Sequence, residues 1–206
     1  MKKGNVAVES RLMSSDQPVI TERMSVYELD NASPFALLSI APTFVLDIEM
    51  VKRNYTLLQE TLHPDRYPHQ TKEAEVACLM ASAINQAYAI LRDPLRRAKA
   101  LLSLKGCSIP GEDGQTIRDP RFMEEALTLK ELLEEAQTPE SCIHLIEILS
   151  QKQKQVDELF QAAFLANDLV GMSDAYIRLS FIVKTKSDAR LDGVDIIRMG
   201  DYAPSA

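Results

Sequence analysis

Residues 51–66 read VKRNYTLLQETLHPDR, and this stretch decides the fold. Its apolar side chains recur at the spacing of one helical face: Val51, Tyr55, Leu58 and Leu62. The helix is expected to begin after Asp47, whose carboxylate can cap it. It should end at His63, because the following Pro64 disfavours helical backbone at the residue before it. The stretch therefore predicts an amphipathic helix that stops at a loop carrying an imidazole and, at Asp65, a carboxylate.

A second helix of matching character follows this loop. Pro64 and Pro68 keep residues 63–70 out of a helix. From about residue 72 to residue 91 the apolar positions again follow helical spacing: Val76, Met80, Ile84, Ala87 or Tyr88, and Leu91. Two helices joined by so short a loop are expected to pack antiparallel.

A capping residue followed by proline marks four further helix starts: Ser33-Pro34, Asp93-Pro94, Asp119-Pro120 and Thr138-Pro139. Gly106 closes the helix that begins after Asp93, and Asn167-Asp168 breaks the long helix that begins after Thr138. That long helix carries apolar residues at Ile143, Ile146, Leu149, Val156, Leu159, Phe160 and Ala163. A last helix is predicted over 169–187, after which the apolar stripe fades. No strand pattern competes, so the predicted fold is all-α.

The order of these helices predicts two domains. Residues 1–32 are read as an N-terminal extension, 33–106 as a four-helix domain, and 107–118 as a linker rich in glycine and proline. Residues 119–187 should form a three-helix bundle, and 188–206 a tail. The helix ending in Leu101, Leu102 and Leu104 is expected to pack against the bundle and hold an L-shaped arrangement.

Charge and composition exclude several classes of function. Residues 33–106 hold nine Lys/Arg against seven Asp/Glu, whereas residues 107–206 hold ten against eighteen. So acidic a second half argues against nucleic acid and against anionic membranes as partners. We also see no apolar run near the roughly 20 residues that a membrane span needs.

The compartment is predicted from the cysteines and the N-terminus. Cys78, Cys107 and Cys142 form no CxxC pair and are expected to be reduced thiols. Lys2 and Lys3 are not followed by an apolar stretch, so no secretory signal is indicated. Acidic residues interrupt the basic ones over residues 1–32, which makes a mitochondrial presequence less favoured. We expect a cytoplasmic protein of the bacterial cytosol.

The loop resembles that of the J domain in DnaJ-type co-chaperones, in which His-Pro-Asp lies between two antiparallel helices. The resemblance becomes more specific downstream, where residues 84–98 read INQAYAILRDPLRRA and residues 101–106 read LLSLKG. Both runs are similar to HscB, the J protein of iron–sulfur cluster assembly. Three further runs resemble the same family: FALL at 35–38, LLQ at 57–59 and DPRFMEE at 119–125. The similarity covers residues 33–187.

This resemblance implies a co-chaperone and not an enzyme. The loop would dock beside the nucleotide-binding domain of an Hsp70-class chaperone of the HscA/DnaK type and promote its ATP hydrolysis. The implied chaperone-binding residues are His63, Pro64, Asp65, Arg66, Lys52 and Arg53. The helix before the loop departs from the family, because Thr56, Gln59, Glu60 and Thr61 stand where basic residues are usual, and Leu62 where an aromatic is usual. We therefore expect a weak chaperone contact.

The resemblance also implies that the bundle binds the iron–sulfur scaffold protein IscU. The implied scaffold-binding residues are Met123, Glu124, Leu127, Lys130, Glu131, Glu135 and Phe181. Glu124 departs from the family, which often has an apolar residue there. The alternative is that Met123 and Leu127 belong to the bundle core, which Phe122, Ala126, Leu129 and Leu133 could fill without them.

Other functions fit the residues less well. A metal site of His63, Asp65 and His69, with Asp47 or His144, lacks the tight spacing of structural zinc sites, and no metal or cofactor is predicted. The paired CxxC motifs of some relatives are absent from residues 1–32. No nucleophile–base pair indicates a hydrolase. Two alternatives stay open: a J protein that delivers another client, and a purely structural helical adaptor.

Overall fold

The structure is a computed structural model that describes residues 32–62, 71–108 and 119–201. Within these ranges it consists of helices and connecting turns, without strands. The helices are α1 (Pro34–Leu37), α2 (Ile48–Thr61), α3 (Lys72–Arg92), α4 (Pro94–Leu104), α5 (Pro120–Glu135), α6 (Pro139–Ala166) and α7 (Leu169–Asp201). The predicted all-α fold is confirmed. The predicted N-terminal extension and nearly all of the predicted linker lie outside the described residues.

The predicted capping residues hold the helix starts. Ser33 Oγ accepts a hydrogen bond from the Ala36 amide at 3.1 Å, and Asp93 Oδ1 accepts one from the Arg96 amide at 2.9 Å. Thr138 and Ser141 form a reciprocal capping box at the start of α6. Each capping side chain satisfies amide groups that a helix start leaves unpaired, and this explains why the cap-then-proline signal located the boundaries so closely.

Two helix ends differ from what the apolar pattern of the sequence indicates. The apolar residues that begin at Phe35 continue through Ile40, but helix α1 ends at Leu37, since the chain turns at Ser39 with φ of 53°. Helix α7 does not end near residue 187 but runs to Asp201, so the predicted tail is wrong over 188–201. Small residues explain the second difference: Ala189 is fully buried, and a Cβ at Gly193 would lie 3.3 Å from the Cβ of Cys142 on α6. Close packing continues there without a visible apolar stripe.

Helices α2 and α3 pack antiparallel, as predicted. The rings of Tyr55 and Tyr88 stack with centroids 4.1 Å apart and planes 12° apart. One turn further along α2, Gln59 donates a hydrogen bond to Asn85 Oδ1 at 2.8 Å, and the Tyr55 hydroxyl donates to the same oxygen at 2.8 Å. The second half of α2 therefore lies against the second half of α3 in antiparallel order.

Three positions differ from the predicted core. Ile143 and Leu159 on α6 are 58% exposed, and Leu104 at the end of α4 is also exposed. The inward positions near the start of α6 are instead Cys142 and Leu145. Over 28 residues a straight helix rotates away from any fixed set of spacings, so a stripe followed along its whole length includes outward positions.

The two domains meet in a packed junction in which α4 lies against α7. The Phe44 and Phe160 rings contact at a centroid distance of 4.7 Å, and both are fully buried. The Val45 amide donates a hydrogen bond to Gln161 Oε1 at 3.1 Å. Lys105 Nζ donates to Asn167 Oδ1 at 2.7 Å. The prediction that α4 packs against the bundle is confirmed, and the buried side chains of both domains form one cluster.

Polar groups are also buried at this junction. Arg97 of α4 is only 7% exposed, donates from Nη1 to the Leu91 carbonyl at 2.5 Å, and stacks 5.0 Å above the Phe44 ring. Asp157 of α6 attracts Arg97, yet Arg97 Nε and Asp157 Oδ1 are both buried without a hydrogen-bond partner in the described residues. Burial raises the pKa of Asp157 to about 6, although Arg97 and Lys186 act in the opposite direction.

One stretch of the described chain, Ala74–Arg92, is long and apolar enough to cross a membrane by length and composition alone. The expectation that no stretch reaches this length is therefore wrong for α3. The stretch lies against α1 and α2, and its Met80, Ile84 and Leu91 are buried in the core. Its Asn85 accepts the hydrogen bonds from α2 described above. These are the contacts of a helix packed in the core of its domain.

Candidate functional site

The loop predicted to act on the chaperone lies outside the described residues, but the residues that flank it, Leu62 and Thr71, are described. His63, Pro64, Asp65 and Arg66 lie outside the described ranges, as does His69. The support on one side is Leu62, which is buried and ends α2 with its amide bonded to the Leu58 carbonyl. The support on the other side is Thr71, whose hydroxyl caps α3 by accepting from the Ala74 amide at 3.2 Å. Both ends of the loop are therefore fixed to the paired helices.

The basic pair lies away from the loop. Lys52 and Arg53 are exposed on α2, about ten residues before its end, which at about 1.5 Å per residue places them about 15 Å along the helix. Closer to the loop, Glu60 and Thr61 are exposed, while Gln59 is held by Asn85. The exposed residues at the end of α2 are thus neutral or acidic, and the weak attraction to a chaperone that the sequence predicts stays a prediction.

The second predicted site is on α5. Met123 and Leu127 are each 59% exposed, and they are one helical turn apart on the same face. Phe122 and Leu129 are the buried side chains of this helix. Of the two interpretations left open by the sequence, the structure therefore agrees with the one that places Met123 and Leu127 on the surface. We call these two side chains the apolar pair.

Charged side chains surround the apolar pair. Glu124, Lys130, Glu131 and Glu135 are all exposed on α5. Phe181 of α7 is partly buried, and its ring meets the Phe122 ring edge-on at a centroid distance of 5.8 Å. The fold thus brings Phe181 to the α5–α7 contact, beside the residue that precedes Met123. An apolar centre with a charged rim is typical of a transient protein interface.

Sequence reasoning missed one residue that organises this region. Arg178 of α7 donates from Nε to Asp174 Oδ2 at 2.8 Å and forms an ion pair with Asp119 Oδ2. Its Nη1 lies 3.8 Å from Glu125 Oε2, and its guanidinium lies 4.9 Å from the Phe122 ring centroid. The Arg121 amide, and with it the Arg178 guanidinium, holds the pKa of Asp119 below its usual range. No sequence signal singles out Arg178.

The described residues contain no cluster of three or more His, Cys, Asp or Glu side chains that could hold a metal ion. Two residues of the candidate metal set, Asp47 and His144, are described, and they lie on different helices. Asp47 caps α2, and His144 is exposed on α6 near Glu147. The rest of the candidate metal set lies in the loop outside the described ranges.

Comparison with known proteins agrees with this architecture. Residues 118–190 match the family model described as the HSCB C-terminal oligomerisation domain. Among solved structures, the chaperone HscB from Vibrio cholerae is 26% identical, with a TM-score of 0.66 over 80% of this chain and 99% of that one. Human co-chaperone protein HscB is 24% identical, with a TM-score of 0.73 over 80% of this chain and 83% of that one.

A third structure, the Jac1 co-chaperone from Saccharomyces cerevisiae, shares the fold at 18% identity, with a TM-score of 0.63 over 85% of this chain and 96% of that one. The chain therefore has the fold of these structures, a J domain with paired helices joined to a C-terminal helical bundle. The resemblance predicted from the sequence is confirmed. The chain is thus similar to the HscB-like co-chaperones of iron–sulfur cluster assembly.

Proposed function

We propose that this protein stimulates the ATPase of an Hsp70-class chaperone of the HscA/DnaK type through His63-Pro64-Asp65 and delivers the scaffold protein IscU to it. The observation that carries the proposal is the antiparallel α2–α3 pair, which fixes both ends of the loop, on a chain whose bundle matches the HscB family. ATP is hydrolysed by the chaperone, so the protein acts as an activator and not as an enzyme. No cofactor is required.

The loop would act by presenting groups in a fixed arrangement. Pro64 restricts the backbone of the loop, and the Tyr55–Tyr88 stack holds the helices on either side. Asp65 can then offer a carboxylate to a cation of the chaperone, and a charge-assisted hydrogen bond of this kind is stronger than a neutral one. Because Lys52 and Arg53 lie about 15 Å from the loop, long-range attraction contributes less than these short-range contacts.

The bundle would hold the scaffold through α5. Met123 and Leu127 supply an apolar centre, and Lys130, Glu131 and Glu135 supply a charged rim. Glu124 replaces an apolar contact with a carboxylate, so we propose that it contributes at the rim. The area of two exposed apolar side chains suits a partner that is bound, handed over and released.

We also propose that the protein works in the cytoplasm, together with both partners. Supporting this, the three cysteines form no disulfide: Cys78 is exposed, Cys107 is partly exposed, and the Cys142 thiol donates to the Ala136 carbonyl at 3.3 Å. Reduced thiols are typical of such a compartment.

The test of the loop is the chaperone's ATPase rate with and without this protein. His63→Gln and Asp65→Asn should each abolish stimulation, because each removes a group offered to the chaperone while leaving the helix pair intact. His144→Gln is the matched control, since His144 is exposed on α6 and distant in sequence from the loop. Full stimulation by both loop variants would refute the proposal and would favour a structural adaptor.

The test of the scaffold is synergy. IscU and this protein together should stimulate the chaperone more than the sum of their separate effects, and Met123→Ala with Leu127→Ala should remove only this synergy. Because both side chains are exposed, the double variant should fold normally. If the wild-type protein stimulates the chaperone but shows no synergy and no binding with IscU, it delivers a different client.

A further inference from the structure

Arg178 lies where α5 meets α7, and its contacts reach the N-cap and the first two turns of α5. It pairs with Asp119, which caps the helix, stacks on Phe122 in the first turn, and approaches Glu125 in the second. Asp174, one turn earlier on α7, holds the guanidinium from its own helix through Nε at 2.8 Å. A single side chain of α7 therefore contacts one continuous stripe of α5.

The Asp119 carboxylate performs two tasks at once. Its Oδ1 accepts a hydrogen bond from the Arg121 amide at 3.0 Å and so caps α5, while its Oδ2 accepts from Arg178. The first turn of α5 is thus tied directly to α7. Glu125 makes a second link, since its Oε1 pairs with Lys152 of α6 and its Oε2 lies near Arg178. Planar guanidinium groups suit such a multiple arrangement better than ammonium groups do.

Helix α5 has few other anchors in its first half. Of its sixteen residues only Phe122 and Leu129 have fully buried side chains. Leu132 and Leu133 also pack against the core, but in the last turns of the helix. In the first half, Phe122 is the buried apolar contact, and a contact at one position resists lifting of the helix more than it resists rolling. Contacts with Asp119 and Glu125, on either side of Phe122 along the chain, add the polar restraint that fixes the rotation of α5 about its axis.

The rotation of α5 decides where the apolar pair points. At about 3.6 residues per turn, Met123 lies roughly 100° and Leu127 roughly 140° around the helix from Phe122. Both apolar side chains therefore lie to the same side of the stripe held by Arg178, at about 120° from Phe122 on average, and Asp119 lies between Phe122 and Met123 around the helix. A roll of α5 in one direction would turn both apolar side chains toward the bundle, Met123 first, and a roll in the other direction would turn both away from the position they now share.

We propose that Arg178 is a positioning residue for the scaffold surface: it fixes the rotation of α5 so that Met123 and Leu127 face a partner together. This inference rests on the proposed function, because it assigns a cause to the geometry of the surface through which IscU would be held. Arg178 acts through α5 and is not itself one of the residues implied to touch the scaffold.

The experiment uses the full chain and purified IscU. Arg178→Gln should weaken IscU binding about tenfold by calorimetry, whereas stimulation of the chaperone without IscU should stay unchanged, because the loop is in the other domain. Arg178→Lys, which keeps the charge, should recover part of the affinity. Lys154→Gln is the control for charge loss, since Lys154 is exposed on α6, and it should bind as the wild type does.

A double-mutant cycle separates positioning from general destabilisation. Leu127→Ala should cost much less affinity in the Arg178→Gln background than in the wild type, because a Leu127 side chain that no longer faces IscU contributes little to binding. Independent, multiplicative losses would overturn the proposal, as would affinity within twofold of wild type for Arg178→Gln, or Arg178→Lys binding as poorly as Arg178→Gln.

Hydrogen exchange distinguishes failure of this proposal from failure of the proposed function. Arg178→Gln should speed amide exchange in the first three turns of α5, relative to Lys154→Gln. Unchanged exchange in α5 refutes the role of Arg178 whatever IscU does. If exchange in α5 is faster in Arg178→Gln but the wild-type protein does not bind IscU, then Arg178 does restrain α5 and the partner is not IscU.

Discussion

Replacing Asp157 with asparagine should stabilise this protein at neutral pH. The carboxylate lies at the junction of the two domains, where Arg97 and Lys186 attract it but burial opposes its charge more strongly. Its pKa is raised from 3.8 to about 6, so burial outweighs attraction. Both cations also have charged neighbours of their own, since Asp93 attracts Arg97 and Arg190 repels Lys186.

The magnitude follows from this rise in pKa. Folding favours the neutral form of Asp157, so its contribution is fully present below about pH 4 and is lost as the pH rises through about 6. The full shift corresponds to about 3 kcal/mol at 1.36 kcal/mol per unit. Water reaches part of the side chain, so we expect about 1–2 kcal/mol after screening. Asp157→Asn should gain this amount at neutral pH and nothing at acid pH.

The assay is urea unfolding followed by circular dichroism, because the chain has no tryptophan. Wild type and Asp157→Asn are compared at about pH 4 and about pH 7.5, on either side of the titration. Glu158→Gln is the matched control, since Glu158 is the exposed neighbour and its loss changes the net charge equally. A variant less stable than wild type at pH 7.5 would show that attraction to Arg97 exceeds the cost of burial. A gain equal at both pH values would refute the titration.

Three further outcomes are expected. Phe160→Ala should lower the free energy of unfolding, measured in urea, by about 3–5 kcal/mol, because the ring is fully buried against Phe44. A loss under about 1 kcal/mol would show that the junction is not part of the cooperative core. Thr138→Ala should cost about 1 kcal/mol through the lost cap of α6, and an unchanged urea midpoint would contradict this. Changing Lys52 and Arg53 together to glutamine should slow association with the chaperone slightly at low salt and leave the maximal stimulation unchanged; a lost maximum would place these residues in the contact itself.

The sequence predicted helix starts well because the signals for them are local. A capping side chain bonds to an amide two or three residues away, and proline fixes its own backbone, so both can be recognised in a window of four residues. Ser33, Asp93, Asp119 and Thr138 all cap as predicted. The antiparallel α2–α3 pair followed from the same local signals together with a short loop.

The ends of helices were harder to predict from the sequence, because packing against distant residues determines where a helix ends. Nothing near residue 187 stops α7, and its continuation depends on Ala189 and Gly193 lying close to α6. Neither residue is counted as apolar in a stripe, although small side chains allow the closest approach of two helices. A local pattern therefore ends before the helix does.

The polar organisers of the molecule were not predictable at all from local patterns. Arg178 is 59 residues from Asp119 in the chain, and Arg97 meets Asp157 only after the two domains have packed. On a linear sequence both arginines look like ordinary solvated charges. Asp119 was identified as a cap, but a single pattern cannot reveal that its second oxygen is used elsewhere.

At the junction of the two domains, different residues stabilise the contact and determine its geometry. The Phe44–Phe160 contact removes apolar surface from water, whereas Arg97 and Asp157 leave a buried donor and a buried acceptor unpaired, which costs stability. An apolar pair in their place would be expected to strengthen the junction, as it does for many buried ion pairs. Charged groups tolerate sliding less than apolar contacts do, so we expect the polar pair to favour one register of the two domains. Under the proposed function, this register would fix where the loop lies relative to the surface that holds the scaffold.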